Sequence, residues 1–291
     1  MPEPWKAERD WSSDEVREVI RAQCPALPCQ IVEPFGCGWD NAAFLIDGEW
    51  VFRFVRRRIA VALLEQESRV LPRLASLLPV PIPNPQWFGH SDDWPFAGYR
   101  RLGGRPASDL FLNDADRHAL ARSLGEFLRT LHDQPTDGLG VDPDSFGRLD
   151  LAKWRPRANQ MLDECDASVD AVALRRVLDA VDTTPSPVVL SHGDLYSRHL
   201  LLDEGALAGV IDWGDVCLAE PAVDLAVVFT FLPPFARNEF FAAYGEINET
   251  VASRARFRAI SHTLNVHRYA KSIGDEALLA EANLALRFIG A

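Results

Sequence analysis

The sequence predicts an α+β protein of two lobes: a small antiparallel-sheet lobe over residues 1–102 and a larger, mostly helical lobe over 103–291. Three observations predict it. Short apolar runs separated by tight-turn residues fill the first third of the chain. Leu102-Gly103-Gly104-Arg105-Pro106 then breaks that pattern. Beyond the break, apolar residues recur mostly at helical spacing.

The elements follow in order. Asp14 to Cys24 reads as an amphipathic helix, with Val16, Val19 and Ile20 on one stripe. Strands are expected over 30–35, 42–46 and 50–55, joined by the turns Gly36–Asn41 and Asp47-Gly48. Residues 60–78 carry a helical stripe (Val61, Leu64, Leu71, Leu74, Leu78), in which Pro72 should kink the helix or start a new turn. The proline-rich run 79–85 is an extended connector. Two more strands, 86–90 and 96–102, flank a turn at Ser91-Asp92-Asp93.

After the break, Asn113 caps a helix whose stripe is Leu120, Leu124, Phe127, Leu128 and Leu131. Helices are expected over 152–164, 169–182, 221–232, 236–245, 249–271 and 275–288. A hairpin interrupts them. Val188–Leu190 leads into the stretch His192–His199, Leu200–Leu202 leads out of it, Asp203-Glu204-Gly205 turns the chain, and Leu207–Ile211 returns. Trp213, Phe229, Phe231 and Phe235 read as core.

The 291 residues are 47% hydrophobic and 25% charged, the balance of an ordinary globular protein. A net charge of −12 argues against a nucleic-acid surface and suits a cationic small molecule. No apolar run reaches the length of a membrane span, and residues 1–15 lack a signal-peptide core, so the expected compartment is cytoplasmic. The five scattered cysteines (Cys24, Cys29, Cys37, Cys165, Cys217) read as reduced thiols rather than a zinc site. A monomer or homodimer is expected.

The chemistry concentrates in His192-Gly193-Asp194-Leu195-Tyr196-Ser197-Arg198-His199 and Ile211-Asp212-Trp213-Gly214-Asp215. The hairpin delivers Asp194 and Asp212 to nearby points at one sheet edge. Phosphoryl transfer needs that pair: one carboxylate orients the attacking hydroxyl, the other holds the Mg²⁺ that bridges nucleotide phosphates. Asp212 ends an apolar strand, where a carboxylate needs a cation or hydrogen bonds. Asp215 reads as loop structure, near enough to touch a substrate. Arg53 lies mid-strand between Val51 and Val55 and should have an anionic partner. Helical phase selects Glu67, on the apolar stripe, over Glu65. Arg56-Arg57-Arg58 reads as a solvated strand end. His262 and His267 suit neither one helical face nor a metal pair, and read as surface or satisfied helix residues.

These motifs, with Glu220-Pro221-Ala222-Val223-Asp224-Leu225 downstream, resemble the aminoglycoside phosphotransferase family, which has the protein-kinase-like fold. The resemblance implies that Asp194 is the catalytic base and Asp212 the Mg²⁺ ligand. His192 would support the catalytic loop, and Asp224 would hold that loop through backbone N–H groups. It also implies ATP or GTP as co-substrate. Arg53 and Glu67 would form the phosphate clamp, the turn Gly36–Asn41 would close over the nucleotide, and backbone near Arg100 and Leu102 would contact the purine. One departure stands out. Kinase-like enzymes carry Asn as second metal ligand where this chain has His199; aminoglycoside 2″- and macrolide phosphotransferases are similar to it there. His199 is then expected to bind metal as a neutral imidazole, with activity falling below pH ~6.5. The implied acceptor is an aminoglycoside-like or macrolide-like antibiotic. Alternatives are a metabolite kinase (amino alcohol, sugar or homoserine type) and a nucleotide-binding pseudokinase.

Overall fold

The computed structural model describes residues 6–165 and 169–291. Two compact units make up the chain: one runs to Leu77 and includes Pro81–Leu102, the other comprises Leu78–Val80 and Gly103–Ala291.

The first unit opens with helix α1 (Ser13–Gln23), started by a capping box in which Ser12 and Glu15 satisfy each other's backbone N–H. Its sheet contains β1 (Val32–Cys37), β2 (Asn41–Ile46), β3 (Trp50–Val55), β4 (Trp87–Ser91) and β5 (Trp94–Arg100), in the order β1-β2-β3-β5-β4. All neighbours are antiparallel. Every β3 side chain is buried, Arg53 included, because β3 is the central strand. Phe44, Phe52, Phe54 and Phe96 pack with Val16 and Ile20 of α1 into one apolar cluster.

Helix α2 (Ile59–Leu74) runs through Pro72, where a kink or new turn was expected. The proline lies in the last turn, where its missing N–H deprives only the Ser68 carbonyl of a helical donor and the helix ends two residues later. The β4–β5 turn sits at Asp92, whose φ of 53° an Asp tolerates.

In the second unit, strand β6 (Arg105–Pro106) precedes helices α3 (Asp114–His132), α4 (Leu151–Asp163) and α5 (Ala171–Asp179). Asn113 caps α3 by accepting from Ala115 and Asp116. Strands β7 (Val189–Ser191), β8 (Leu200–Asp203), β9 (Ala206–Val210) and β10 (Cys217–Ala219) follow, then α6 (Ala222–Phe231), α7 (Arg237–Tyr244), α8 (Glu249–Ile273) and α9 (Glu276–Gly290). β8 and β9 form the expected hairpin, with β6 on the other edge of β8. β7 leads into the His192–His199 stretch, as expected, and pairs antiparallel with β10, a strand the sequence did not predict, Ser191 opposite Cys217. A strand as short as β10 carries too little alternation to announce itself in sequence.

Trp213 is fully buried, and α6 is buried along its whole length. Phe229 and Phe231 are core, but Phe235 is 58% exposed, since it follows the apolar run at a 3₁₀ turn rather than within it. All five cysteines are free thiols. Among the described residues no helix is long and apolar enough to cross a membrane.

Candidate active site

The loop from His192 to Tyr196 hangs between β7 and the 3₁₀ turn Ser197–His199. Its backbone is held from below by Asp224, in the first turn of α6. Asp224 is fully buried and accepts the N–H of His192 at 2.7 Å and of Gly193 at 2.9 Å. His132 of α3 meets the same carboxylate at 3.2 Å through Nε2, and Tyr244 of α7 closes the chain at 2.7 Å on Nδ1. Burial pushes the Asp224 pKa up, but the His132 hydrogen bond and charge, with the backbone donors, outweigh it and hold the group below its ordinary value. A buried carboxylate with this many donors stays ionised.

Gly193 is required by two constraints. Its φ is +88°, and a Cβ there would meet the backbone oxygen of Asp215 at 2.2 Å. Only glycine lets the loop pass this close to the next segment.

His192 is locked as a neutral tautomer. Its Nε2 donates to the Ile211 carbonyl at 3.0 Å, and its Nδ1 accepts the Asp194 N–H at 3.3 Å. Full burial lowers its pKa further. The ring packs against Trp213 at a tilt of 56°, 4.7 Å between centroids. Trp213 in turn donates to Val210 at 2.9 Å, so the loop rests on a rigid floor.

Asp194 is half-buried, its side chain 28% exposed. His262 Nε2 lies 3.0 Å from its Oδ1, and Arg258 Nη2 lies 3.4 Å from the same oxygen. Burial works to raise the Asp194 pKa; His262, His199 and Arg258 overcome it and hold the carboxylate well below the usual range.

Asp212 sits just past β9 with φ 64°, ψ 63°. A non-glycine residue held in this left-handed region outside a hairpin turn stores of order 1–3 kcal/mol, a cost typical of functional positions. The strain aims a 49%-exposed carboxylate toward His199, whose Nε2 is 3.3 Å from Oδ2. His199 is itself oriented by its Nδ1, which donates to the Asp194 carbonyl at 2.7 Å. In the neutral ring this leaves Nε2 with the lone pair, whereas in the imidazolium Nε2–H donates to Asp212 Oδ2. An imidazole whose far N–H is fixed by a backbone carbonyl is the usual posture of a metal ligand. Burial lowers the His199 pKa, but the Asp212 hydrogen bond and charge prevail and raise it. Among the described residues no group of three or more His, Cys, Asp or Glu side chains could hold a metal ion alone. Asp212 with His199 fits an ion that takes its remaining ligands from phosphate and water, as Mg²⁺ does.

Asp215 is tied to Arg148 at 3.0 Å, and Arg148 also pairs with Asp144. Burial pushes the Asp215 pKa up to about 6; Arg148 opposes this, while Asp194 and Asp212 add to it.

In the first unit, Arg53 of β3 and Glu67 of α2 form a buried pair, Nη1 to Oε1 at 2.6 Å, with side chains 9% and 2% exposed. Glu65 instead lies 3.8 Å from His90. Arg100 ends β5, pairs with Glu49 and covers the Trp50 ring at 4.3 Å. Leu102 is half-buried in the loop that follows. Arg56 pairs with Asp10 and Arg57 with Asp40, so this basic run is partly internally neutralised.

His262 is the residue sequence reasoning missed. It is not on the surface; it is a satisfied helix residue whose partner, Asp194, spacing did not name, and its ring packs on Tyr196 at 5.1 Å. Spacing alone carried one usable signal: Arg254, Arg258 and His262 recur one turn apart on α8, an unusual polar row on a helix that is otherwise largely buried.

A small antiparallel-sheet unit and a helical unit bearing this aspartate loop define a kinase-like fold, the fold of small-molecule phosphotransferases. The chain belongs to the APH phosphotransferase enzyme family, whose sequence profile matches residues 31–260. Its structure is similar to that of the GDP and kanamycin complex of APH(2″)-IIia, with TM-score 0.72 and 25% identity over 94% of this chain and 97% of that one. A macrolide 2′-phosphotransferase from Brachybacterium faecium shares the fold, with TM-score 0.62 and 23% identity over 94% of this chain and 97% of that one. In sequence, a homoserine kinase of Beijerinckia indica is 29% identical over 174 residues, 53% of each chain. This chain spans 62%, 53% and 48% of three curated relatives it matches.

Proposed function

We propose that this chain is a Mg²⁺-dependent O-phosphotransferase that moves the γ-phosphate of ATP or GTP to a hydroxyl of an aminoglycoside-like or macrolide-like molecule. One observation carries the reading: an ionised Asp194, on a loop braced by Asp224, is linked through His199 to a strained and exposed Asp212.

Asp194 orients the acceptor hydroxyl and takes its proton as the new O–P bond forms and the bond to the nucleoside diphosphate breaks. Asp212 and His199 are the residues that would hold the metal. When bound, the ion would neutralise charge on the transferring phosphoryl group. The Arg53–Glu67 pair would present a fixed guanidinium to the nucleotide phosphates, and the backbone near Arg100 and Leu102 would meet the purine. Asp224 and His192 hold the loop and touch no reactant. The net charge of −12 favours a cationic acceptor.

The homoserine kinase relative favours a second reading, a metabolite kinase built on the same core. A coupled assay decides between them, with ATP and GTP in parallel over kanamycin, a macrolide, homoserine and an amino alcohol. Turnover on either antibiotic class, abolished in Asp194→Asn, is expected. Turnover on homoserine or the amino alcohol alone moves the assignment to the second reading. Nucleotide binding with no turnover on any of them overturns both.

A further inference from the structure

Asp194 meets its two side-chain partners on one oxygen. His262 Nε2 and Arg258 Nη2 both address Oδ1, at 3.0 and 3.4 Å. Both partners come from α8, one helical turn apart, from a different part of the chain than the loop they hold. One turn earlier, Arg254 grips Glu220 with its Nε at 2.7 Å from Oε2. α8 therefore presents a row of three polar side chains to the segments that carry Asp194 and lead into α6.

Packing does not account for this row. Arg258 is 6% exposed, and burial depresses its pKa to about 10. A buried cation that its neighbours compensate incompletely costs stability, and an apolar side chain would serve a core better. Arg258 also reaches the Gly193 carbonyl, at 3.5 Å. His262 is lodged between the Tyr196 ring and the carboxylate, its side chain 13% exposed. Burial and the adjacent Arg258 lower its pKa, so it faces Asp194 as a neutral N–H donor near pH 7. Side chains that are expensive to bury and that converge on one carboxylate mark a functional arrangement.

We propose that His262, backed by Arg258, is a positioning residue: it pins Oδ1 of Asp194, fixes the plane of the carboxylate and leaves Oδ2 as the oxygen that receives the acceptor proton. This rests on the reading of Asp194 as the catalytic carboxylate. A carboxylate free to rotate about its Cβ–Cγ bond would present either oxygen and spend much of its time misaligned. Misplacement on the scale of an ångström costs ~10²-fold in rate. On this reading His262 acts through Asp194 rather than on a reactant, so its removal should act on kcat and spare binding.

The test uses four full-length proteins: wild type, His262→Ala, His262→Gln and Asp194→Asn. Each is assayed for phosphate transfer from MgATP and MgGTP to kanamycin, to homoserine and to water; the fastest acceptor for wild type is the readout. Nucleotide affinity by calorimetry and thermal melting accompany it. His262→Ala is expected to lose kcat by ~10²-fold while nucleotide affinity and acceptor KM change by less than about threefold. Gln can place an amide N–H near the position of Nε2, so His262→Gln should recover about tenfold or more of that loss. A His262→Ala enzyme with wild-type kcat, beside an inactive Asp194→Asn, overturns the positioning role and leaves Asp194 in place. Undiminished turnover in Asp194→Asn overturns the underlying reading. A folded His262→Gln that binds nucleotide but is no better than His262→Ala overturns the hydrogen-bond basis. Loss of melting temperature and nucleotide binding in both His262 variants marks a structural residue and overturns the proposal as well.

Discussion

The carboxylate of Asp224 accepts the backbone N–H of Gly193 at 2.9 Å, so a residue of α6 sets the conformation of the loop that carries Asp194. Replacing Asp224 by Ala leaves the N–H groups of His192 and Gly193 buried without their acceptor. Stability should fall by about 3–5 kcal/mol. Urea denaturation of wild type and variant measures it, and a loss below about 1 kcal/mol would contradict the bracing role.

Gly193→Ala should perturb the same loop from the other side. The new Cβ would stand 2.2 Å from the Asp215 oxygen at a φ of +88°. We expect a loss of about 1–3 kcal/mol from backbone strain and a drop in kcat of about tenfold or more. Wild-type turnover in this variant would show that the loop has room it does not display.

The Arg53–Glu67 contact of 2.6 Å gives a prediction for the first unit. Glu67→Ala removes a buried partner and should cost about 3–5 kcal/mol. On the proposed reading it also weakens nucleotide binding by about tenfold, because the guanidinium loses its aim. Arg53→Lys should do the same to binding with less effect on stability. Calorimetric titration with MgATP and MgGTP checks both, and unchanged affinity in both variants would remove this pair from the phosphate site.

His192 should make stability sensitive to acid. Its folded pKa lies below the ordinary 6.5 because burial disfavours the cation. Below pH ~6.5 the unfolded chain takes up a proton that the folded chain refuses, so stability falls as pH drops through that window. His199 has the opposite sign, since its folded pKa is raised and its contribution is lost as pH rises through that value. Comparing wild type with His192→Asn isolates the first effect: the variant is less stable at pH 8, and the difference should shrink toward pH 5. A constant difference would show that His192 does not resist protonation.

Metal dependence should reside in Asp212 and His199. Asp212→Asn should abolish turnover and remove the gain in nucleotide affinity that Mg²⁺ gives. His199→Asn should shift the Mg²⁺ concentration needed for half-maximal rate, and an identical metal and pH profile would take His199 out of the metal site.

Much of this site was readable from residue order. His192 to His199, Asp212 and Asp224 stand in short motifs whose local structure is dictated by nearby glycine and apolar runs. Glu67 was selected over Glu65 by helical phase alone, and the structure brings Glu67, not Glu65, to Arg53. The misses share a cause. β7 leads into the loop as its position predicts, yet its partner β10 is too short to show alternation. Phe235 was assigned to the core by composition, yet the chain turns just before it. His262 reads as an ordinary helix residue because its partner Asp194 lies far away in sequence.

By itself, then, the sequence determined most of the elements, the two-lobed α+β class and the residue types that cluster in the loop, because periodicity, turn residues and motif spacing are local properties of the chain. Only the tertiary structure decided what surrounds Asp194. The contact with His262 depends on how α8 packs over a loop distant in sequence, and no local pattern encodes a distance between such segments. The same packing decided that Asp224 reaches two backbone donors and that Gly193 has space for no side chain.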